Sequence, residues 1–136
     1  MGLLNRKAAA VNRARELLGV PWVHQGRNPS LGLDCVGLLV ECAKAADVAA
    51  DVPSDYPRVV DPQIIVDHLD QYCISIPYAE MQAGDILLMR WRTVPQHVGL
   101  YTGNNYMIHS YQGHGVTYQE LIPFWQERVI NVYRFI

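Results

Sequence analysis

Apolar residues recur at helical spacing across residues 6–18, with Arg and Glu between them, and the pattern stops at Gly19 and Pro21. This predicts an amphipathic helix. Residues 20–33 are rich in Gly, Pro, Asn and Ser and read as a loop leading into a second apolar run, which opens at Cys35 and ends near Ala46. Asp34, just ahead of that run, has the side chain of a helix N-cap. The proline-bearing stretch 51–61 is extended or turning, and Asp61-Pro62 opens a short helix through Ile64, Ile65, Val66, His68 and Leu69. Beyond it the pattern becomes strand-like: residues 74–76, 85–91, 97–102, 106–111 and 129–135 read as strands. Helices first and antiparallel strands after predict an α+β fold in which the helix beginning at Cys35 packs on an antiparallel sheet.

A chain of 136 residues, half of them apolar, suffices for one compact domain over residues 1–136 and not for two. The eleven Lys and Arg are scattered and the formal charge is −2, so no basic footprint for nucleic acid is visible. No apolar run approaches the roughly 20 residues of a membrane span, and the first residues lack the apolar core of a secretion signal. The expectation is a chain made in the cytoplasm, without membrane insertion. Gly2 is no myristoylation site, since Arg6 stands where Ser or Thr is required. Cys35, Cys42 and Cys73 form an odd, sparse set that reads as reduced thiols. Cys35 and Cys42 would stand about 10 Å apart along one helix, beyond disulfide reach, and Cys42 shares a face with Leu38 and Leu39 as a structural thiol.

The position of Cys35 carries chemistry. Unpaired N–H groups and the positive dipole end of a helix's first turn favour a thiolate and a developing oxyanion. Candidate bases follow in His97 and His109. Gly103-Asn104-Asn105 marks a turn, which puts the two histidines on opposite arms of a hairpin. Opposed residues keep a constant index sum, and 97 and 109 add to an even number. A loop with an odd number of residues therefore places both imidazoles on one face, and a two-residue turn places them on opposite faces. On a shared face Cys35 serves as nucleophile, His97 as base and later acid, and His109 as the group that orients His97. The residue types alone leave two other readings open: a core thiol with surface imidazoles, and a zinc site made of the same three residues. No CxxC, HxxxH or HExxH spacing is present.

Several separated motifs resemble, in order, those of the NlpC-type cell-wall cysteine peptidases, papain-like enzymes that cut peptide bonds in the stem peptides of peptidoglycan. Leu18-Gly19-Val20-Pro21-Trp22 is similar to the family's opening segment, Asp34-Cys35-Val36-Gly37-Leu38 to its nucleophile motif, and Ala83-Gly84-Asp85-Ile86-Leu87 to its turn into the first core strand. His97-Val98-Gly99-Leu100-Tyr101 and Ile108-His109-Ser110 resemble its base and orienting motifs. His24-Gln25, the run from Met107 to Val116 and the ending Tyr133-Arg134-Phe135 resemble the phage or gene-transfer-agent branch.

The resemblance implies a single papain-like domain with a Cys-His-His triad of Cys35, His97 and His109, a thioester acyl-enzyme, and neither metal nor cofactor. It implies that Asp34 meets the free amine of the stem peptide, a pairing compatible with its N-cap role. Trp22 stands where many relatives carry a tyrosine, and Val36 where many carry a serine. Trp22 brings no hydroxyl, so Gln25 or His24 becomes the candidate to complete an oxyanion hole beside the Cys35 N–H. The partner implied is a peptidoglycan stem peptide, reached from a phage or phage-like tail with tail-tip proteins as neighbours. The competing readings are a tail-tip adaptor with an idle site, and a hydrolase of another amide or ester. Of the remaining residues, Arg90, Trp91 and Arg92 read as a strand end near the groove rim, His114 as a loop residue, and Gly84 and Asp85 as a turn. Tyr101, Tyr106, Phe124, Trp125 and Phe135 read as core and sheet faces.

Overall fold

Residues 2–57, 61–91 and 93–136 are described in the computed structural model, which opens on helix α1 (Leu3–Glu16). Leu17 and Leu18 form a turn, and Gly19, at φ +91°, takes the left-handed conformation that ends the segment. A two-rung hairpin, β1 (Arg27–Asn28) with β2 (Gly32–Leu33), gives the following loop some order. Helix α2 (Cys35–Ala45) starts where Asp34 accepts a hydrogen bond from Gly37 N at 2.7 Å. Helix α3 (Pro62–Tyr72) starts in the same way: Asp61 accepts from Gln63 N at 2.9 Å, and Pro62 supplies the first helical φ.

Six strands follow: β3 (Cys73–Ile76), β4 (Ile86–Trp91), β5 (Val94–Gly103), β6 (Tyr106–Tyr111), β7 (Gly115–Glu120) and, after the short helix α4 (Pro123–Gln126), β8 (Val129–Phe135). They form one antiparallel sheet in the order β3-β8-β4-β5-β6-β7. The α+β expectation holds, and α1, α2, α3 and five strands fall within a few residues of the expected ranges, whereas α4 was not expected. Strand β7 is an addition: Gly113 and Gly115 make its start look like loop, and only its first two residues are buried.

Alternation along the strands builds two cores. Ile86, Leu88, Val98, Leu100 and Ile108 face α1, α2 and α3, meeting Ala10, Ala14, Leu38, Leu39, Cys42, Ile65 and Leu69. Leu87, Met89, Met107 and Val132 face the other way, against Leu121 and Trp125. Cys42 and Cys73 are buried free thiols. Asp85, fully buried, accepts from Gln82 N and pairs with Arg134 through both carboxylate oxygens at 2.9 and 3.0 Å, so it shapes a turn and also ties β4 to β8.

The loop ahead of α2 lies against the helix at Gly37, where a Cβ would overlap the Gly26 carbonyl oxygen and stand 3.3 Å from an Asp34 carboxylate oxygen. Gly37→Ala is expected to cost about 1–3 kcal/mol in urea denaturation and to slow alkylation of Cys35, because the helix must move away from its cap. Wild-type stability in that variant would show that the loop yields freely.

Candidate active site

The Asp34 carboxylate sets the start of α2 and takes four donors. Oδ1 accepts from Gly37 N at 2.7 Å and Arg27 Nη1 at 3.1 Å; Oδ2 accepts from Gln25 N at 3.1 Å and from the Tyr56 hydroxyl. Cys35, the next residue, is the first of the helix and is partly exposed to a cleft. Burial, then the neighbouring Asp34 charge, push its thiol up to about 12, while backbone donors at Val98 and Val36 act in the opposite direction. The resting sulfur is a thiol, contrary to the thiolate that the helix dipole alone would favour.

His97 and His109 reach each other through a register change. Asn104 and Asn105, with φ 53° and 66°, form a two-residue turn, and Gly103 opposes Tyr106 beside it. That odd index sum would send the imidazoles to opposite faces. A bulge between Tyr101 and Gly103 shifts the pairing to Leu100↔Ile108 and Tyr101↔Met107, restoring an even sum and placing His97 one diagonal from His109. Gly99, in the intervening position, leaves room: a Cβ there would stand 3.2 Å from His109 Cβ. His97 Nε2 and His109 Nδ1 meet at 2.7 Å.

Both rings are buried, on the sheet face that carries Trp125. Desolvation lowers His97 to about 4; desolvation, then the charges of His97 and His109's neighbour His114, lower His109 to about 2. Two neutral imidazoles sharing one hydrogen bond have a defined competent state. In that state His97 would donate from Nε2 to His109 Nδ1, at the 2.7 Å the two atoms keep, and its Nδ1 would be left unprotonated and able to accept a proton.

Cys35 and His97 line one cleft, together with Trp22, His24, Tyr56 and Trp91. Ser110, also on its wall, donates to the Leu33 carbonyl at 2.7 Å and so ties the strand of His109 to the loop that delivers Cys35. Gln25 does not serve the cleft: its amide donates to the Tyr56 carbonyl at 2.6 Å, which corrects the expectation of an oxyanion donor there. Asp34 as an amine receptor is corrected too, since the residue is 4% exposed and every acceptor direction is filled. Arg90 donates to the Glu127 carbonyl, His114 is an exposed loop residue stacked on Tyr111, and Arg92 lies outside the described residues. Trp125 is core as expected, whereas Phe124 is exposed beneath the Arg128 guanidinium.

Sequence reasoning missed Arg27, Tyr56, Gln96 and Gln112, the last three on the cleft wall. Tyr56 had one signal, as the one aromatic residue of the proline-bearing segment 51–61; Arg27 had none. The described residues hold no group of three or more His, Cys, Asp and Glu placed to share a metal ion, and no helix among them is long and apolar enough to cross a membrane.

The buried histidines make stability depend on pH. Their folded values lie below the ordinary 6.5, so the unfolded chain binds protons first and stability falls as pH drops from 6.5 toward 4. At pH 5 each imidazole held neutral corresponds to about 2 kcal/mol. Denaturation at pH 7 and pH 5 should show a smaller loss for His109→Asn than for wild type; equal losses would show that His109 protonates freely in the folded state.

The sequence pattern of the NlpC/P60 family matches residues 19–134. Gamma-DL-glutamyl hydrolase of Bacillus subtilis (strain 168) is 31% identical over 132 residues, covering 91% of this chain and 29% of its own length. Murein DD-endopeptidase MepS/Murein LD-carboxypeptidase of Escherichia coli (strain K12) is 33% identical over 55 residues, 40% of this chain and 29% of its own. Among solved structures, a protein of Staphylococcus aureus subsp. aureus Mu50 described as similar to lipoprotein, NLP/P60 family, superposes with TM-score 0.72 at 26% identity, covering 96% of this chain and 41% of that one. The matched stretch thus covers less than half the length of each of these relatives. Because the family match takes in every residue that lines the cleft, from Trp22 to Gln112, the chain belongs to the NlpC/P60 family.

Proposed function

We propose that this domain hydrolyses peptide bonds in peptidoglycan stem peptides as a cysteine peptidase, with Cys35 as nucleophile, His97 as base and acid, and His109 as the orienting residue. The observation that carries the reading is the 2.7 Å contact between His97 Nε2 and His109 Nδ1, beside a cleft that Cys35 and His97 line together. Family membership and the names of the relatives, a glutamyl hydrolase and a murein endopeptidase, support the substrate class.

Cys35 Sγ attacks the carbonyl carbon as its proton passes to His97 Nδ1, and the Nε2–H of the resulting imidazolium stays on His109 Nδ1. The tetrahedral intermediate collapses to a thioester when the C–N bond breaks and His97 returns the proton to the leaving amine. Water, deprotonated by His97, then adds to the thioester, and Cys35 leaves as the thiol. His109 is a neutral acceptor, so it fixes the tautomer and orientation of His97 without adding a counter-charge. We also propose that a phage or phage-like tail carries the domain to the wall; this rests on the resemblance of the His24-Gln25, Met107 to Val116 and Tyr133 to Phe135 segments. Recovery of the chain in purified tail particles from its source would support that delivery, and its absence from them would refute it.

Incubation with defined stem peptides, followed by mass spectrometry, should give a single cleaved bond. Cys35→Ala and His97→Ala should each lower kcat/KM by at least about 10³-fold, and Cys42→Ala should leave it near wild type. Iodoacetamide should modify Cys35 ahead of the buried Cys42 and Cys73. An intact stem peptide together with an inert Cys35 would favour an adaptor that keeps the fold.

A further inference from the structure

Among the described residues that line the cleft, Asp34 bears the only formal charge when imidazoles are neutral; the others are aromatic rings, imidazoles, amides, hydroxyls and the Cys35 thiol. That carboxylate is already paired. Arg27 Nη1 stands 3.1 Å from Oδ1, the Tyr56 hydroxyl donates to Oδ2, and the backbone N–H groups of Gly37 and Gln25 take the two remaining acceptor directions. The guanidinium is itself held in place. It donates to the Tyr56 hydroxyl at 3.0 Å and to the Pro53 carbonyl at 3.3 Å, and it lies 5.4 Å from the centre of the Tyr56 ring.

A substrate ammonium entering this cleft would give up hydration and meet no carboxylate able to accept from it. An acylated amine at the same place carries no charge and presents a planar amide to walls of Trp22, Trp91 and Tyr111. We propose that Arg27 and Tyr56 set substrate choice by occupying Asp34, so that the site selects peptides whose amine on the acyl side of the scissile bond is acylated. Such an amine belongs to a stem peptide still joined to its glycan or to the interior of a chain. The inference rests on the peptidase reading above and adds the chemistry of the substrate's amino end.

The test uses one stem tetrapeptide made in two forms, with a free α-amine and with that amine acetylated, and compares kcat/KM at pH 7. Wild type should prefer the acetylated form by at least tenfold, which corresponds to about 1.4 kcal/mol in the transition state. Arg27→Gln, which leaves the Asp34 charge without its cation, should narrow the preference to within threefold, whereas Arg27→Lys should retain it. The ratio between two substrates separates this role from general loss of structure, which would lower both rates together. Tyr56→Phe, which removes one donor and keeps the ring, should shift the ratio in the same direction and serves if Arg27→Gln does not fold. Preference for the free amine in wild type, or a ratio unmoved in Arg27→Gln and Tyr56→Phe, would overturn the proposal and leave the peptidase reading intact. Cleavage of neither form would overturn both.

Discussion

Four donors from separate parts of the chain converge on the Asp34 carboxylate, and the geometry of the cleft depends on that convergence. Gly37 N comes from the first turn of α2, Gln25 N and Arg27 from the loop before it, and the Tyr56 hydroxyl from the segment after it. A carboxylate this buried is stable only when its charge is paired and its lone pairs are filled. Once that condition is met, the loop and the helix cannot move independently. The approach is tight enough to require glycine at Gly37, opposite the Gly26 carbonyl. Ser110 fixes the other side through the Leu33 carbonyl, two residues before Cys35 and one residue after His109 on its own strand. Cys35 and the histidine pair are thereby located relative to each other through a few short polar links.

The same burial that orders the site determines its protonation. A helix N-terminus stabilises an anion by about 0.3–1 kcal/mol at an exposed site and up to about 2 when partly buried. Moving a thiol from its ordinary 9 to about 12 corresponds to roughly 4 kcal/mol in the other direction. Desolvation wins, and the resting pair is thiol and neutral imidazole. In the proposed mechanism nucleophilic strength therefore arises during attack, as the proton moves to His97, and positioning matters more than a standing charge.

Periodicity made the helices and most strands legible, and the cysteine at the start of an apolar run marked Cys35 as the candidate nucleophile before any geometry was known. Parity was harder. The turn at Gly103-Asn104-Asn105 was visible, but the length of its loop was not, so both face arrangements of His97 and His109 stayed open; the bulge that corrects the two-residue turn leaves no mark in the alternation of apolar residues. Arg27 and Tyr56 were illegible for another reason. They act on Asp34 across seven and 22 residues of loop, where no period links partner to partner. Gln25 illustrates the converse: its proximity in sequence to the nucleophile suggested the cleft, and a left-handed backbone at φ 62° accompanies a side chain bonded to the Tyr56 carbonyl instead.

The aromatic shell around His109 bears on which tautomer the pair adopts. If His109 donated from Nδ1, His97 would accept at Nε2 and carry its proton on Nδ1, where it could not act as a base. In the competent arrangement His109 keeps its proton on Nε2, a buried atom with no conventional hydrogen-bond partner among the described residues. Tyr111 stacks on His109 with ring centres 4.8 Å apart, and Trp125 stands at 80° to it with the same 4.8 Å separation. An imidazole N–H lies in the ring plane, so only a ring set near perpendicular, as Trp125 is, can turn its face to that proton, and an electron-rich face receives an N–H better than a lone pair. A polar acceptor at that position would hold the proton more firmly, and a carboxylate there would raise the His109 pKa and invite the charged form that burial now excludes. An apolar aromatic shell favours the proton on Nε2 while keeping His109 neutral, and those are the two conditions that the proposed transfer of the Cys35 proton to His97 Nδ1 requires.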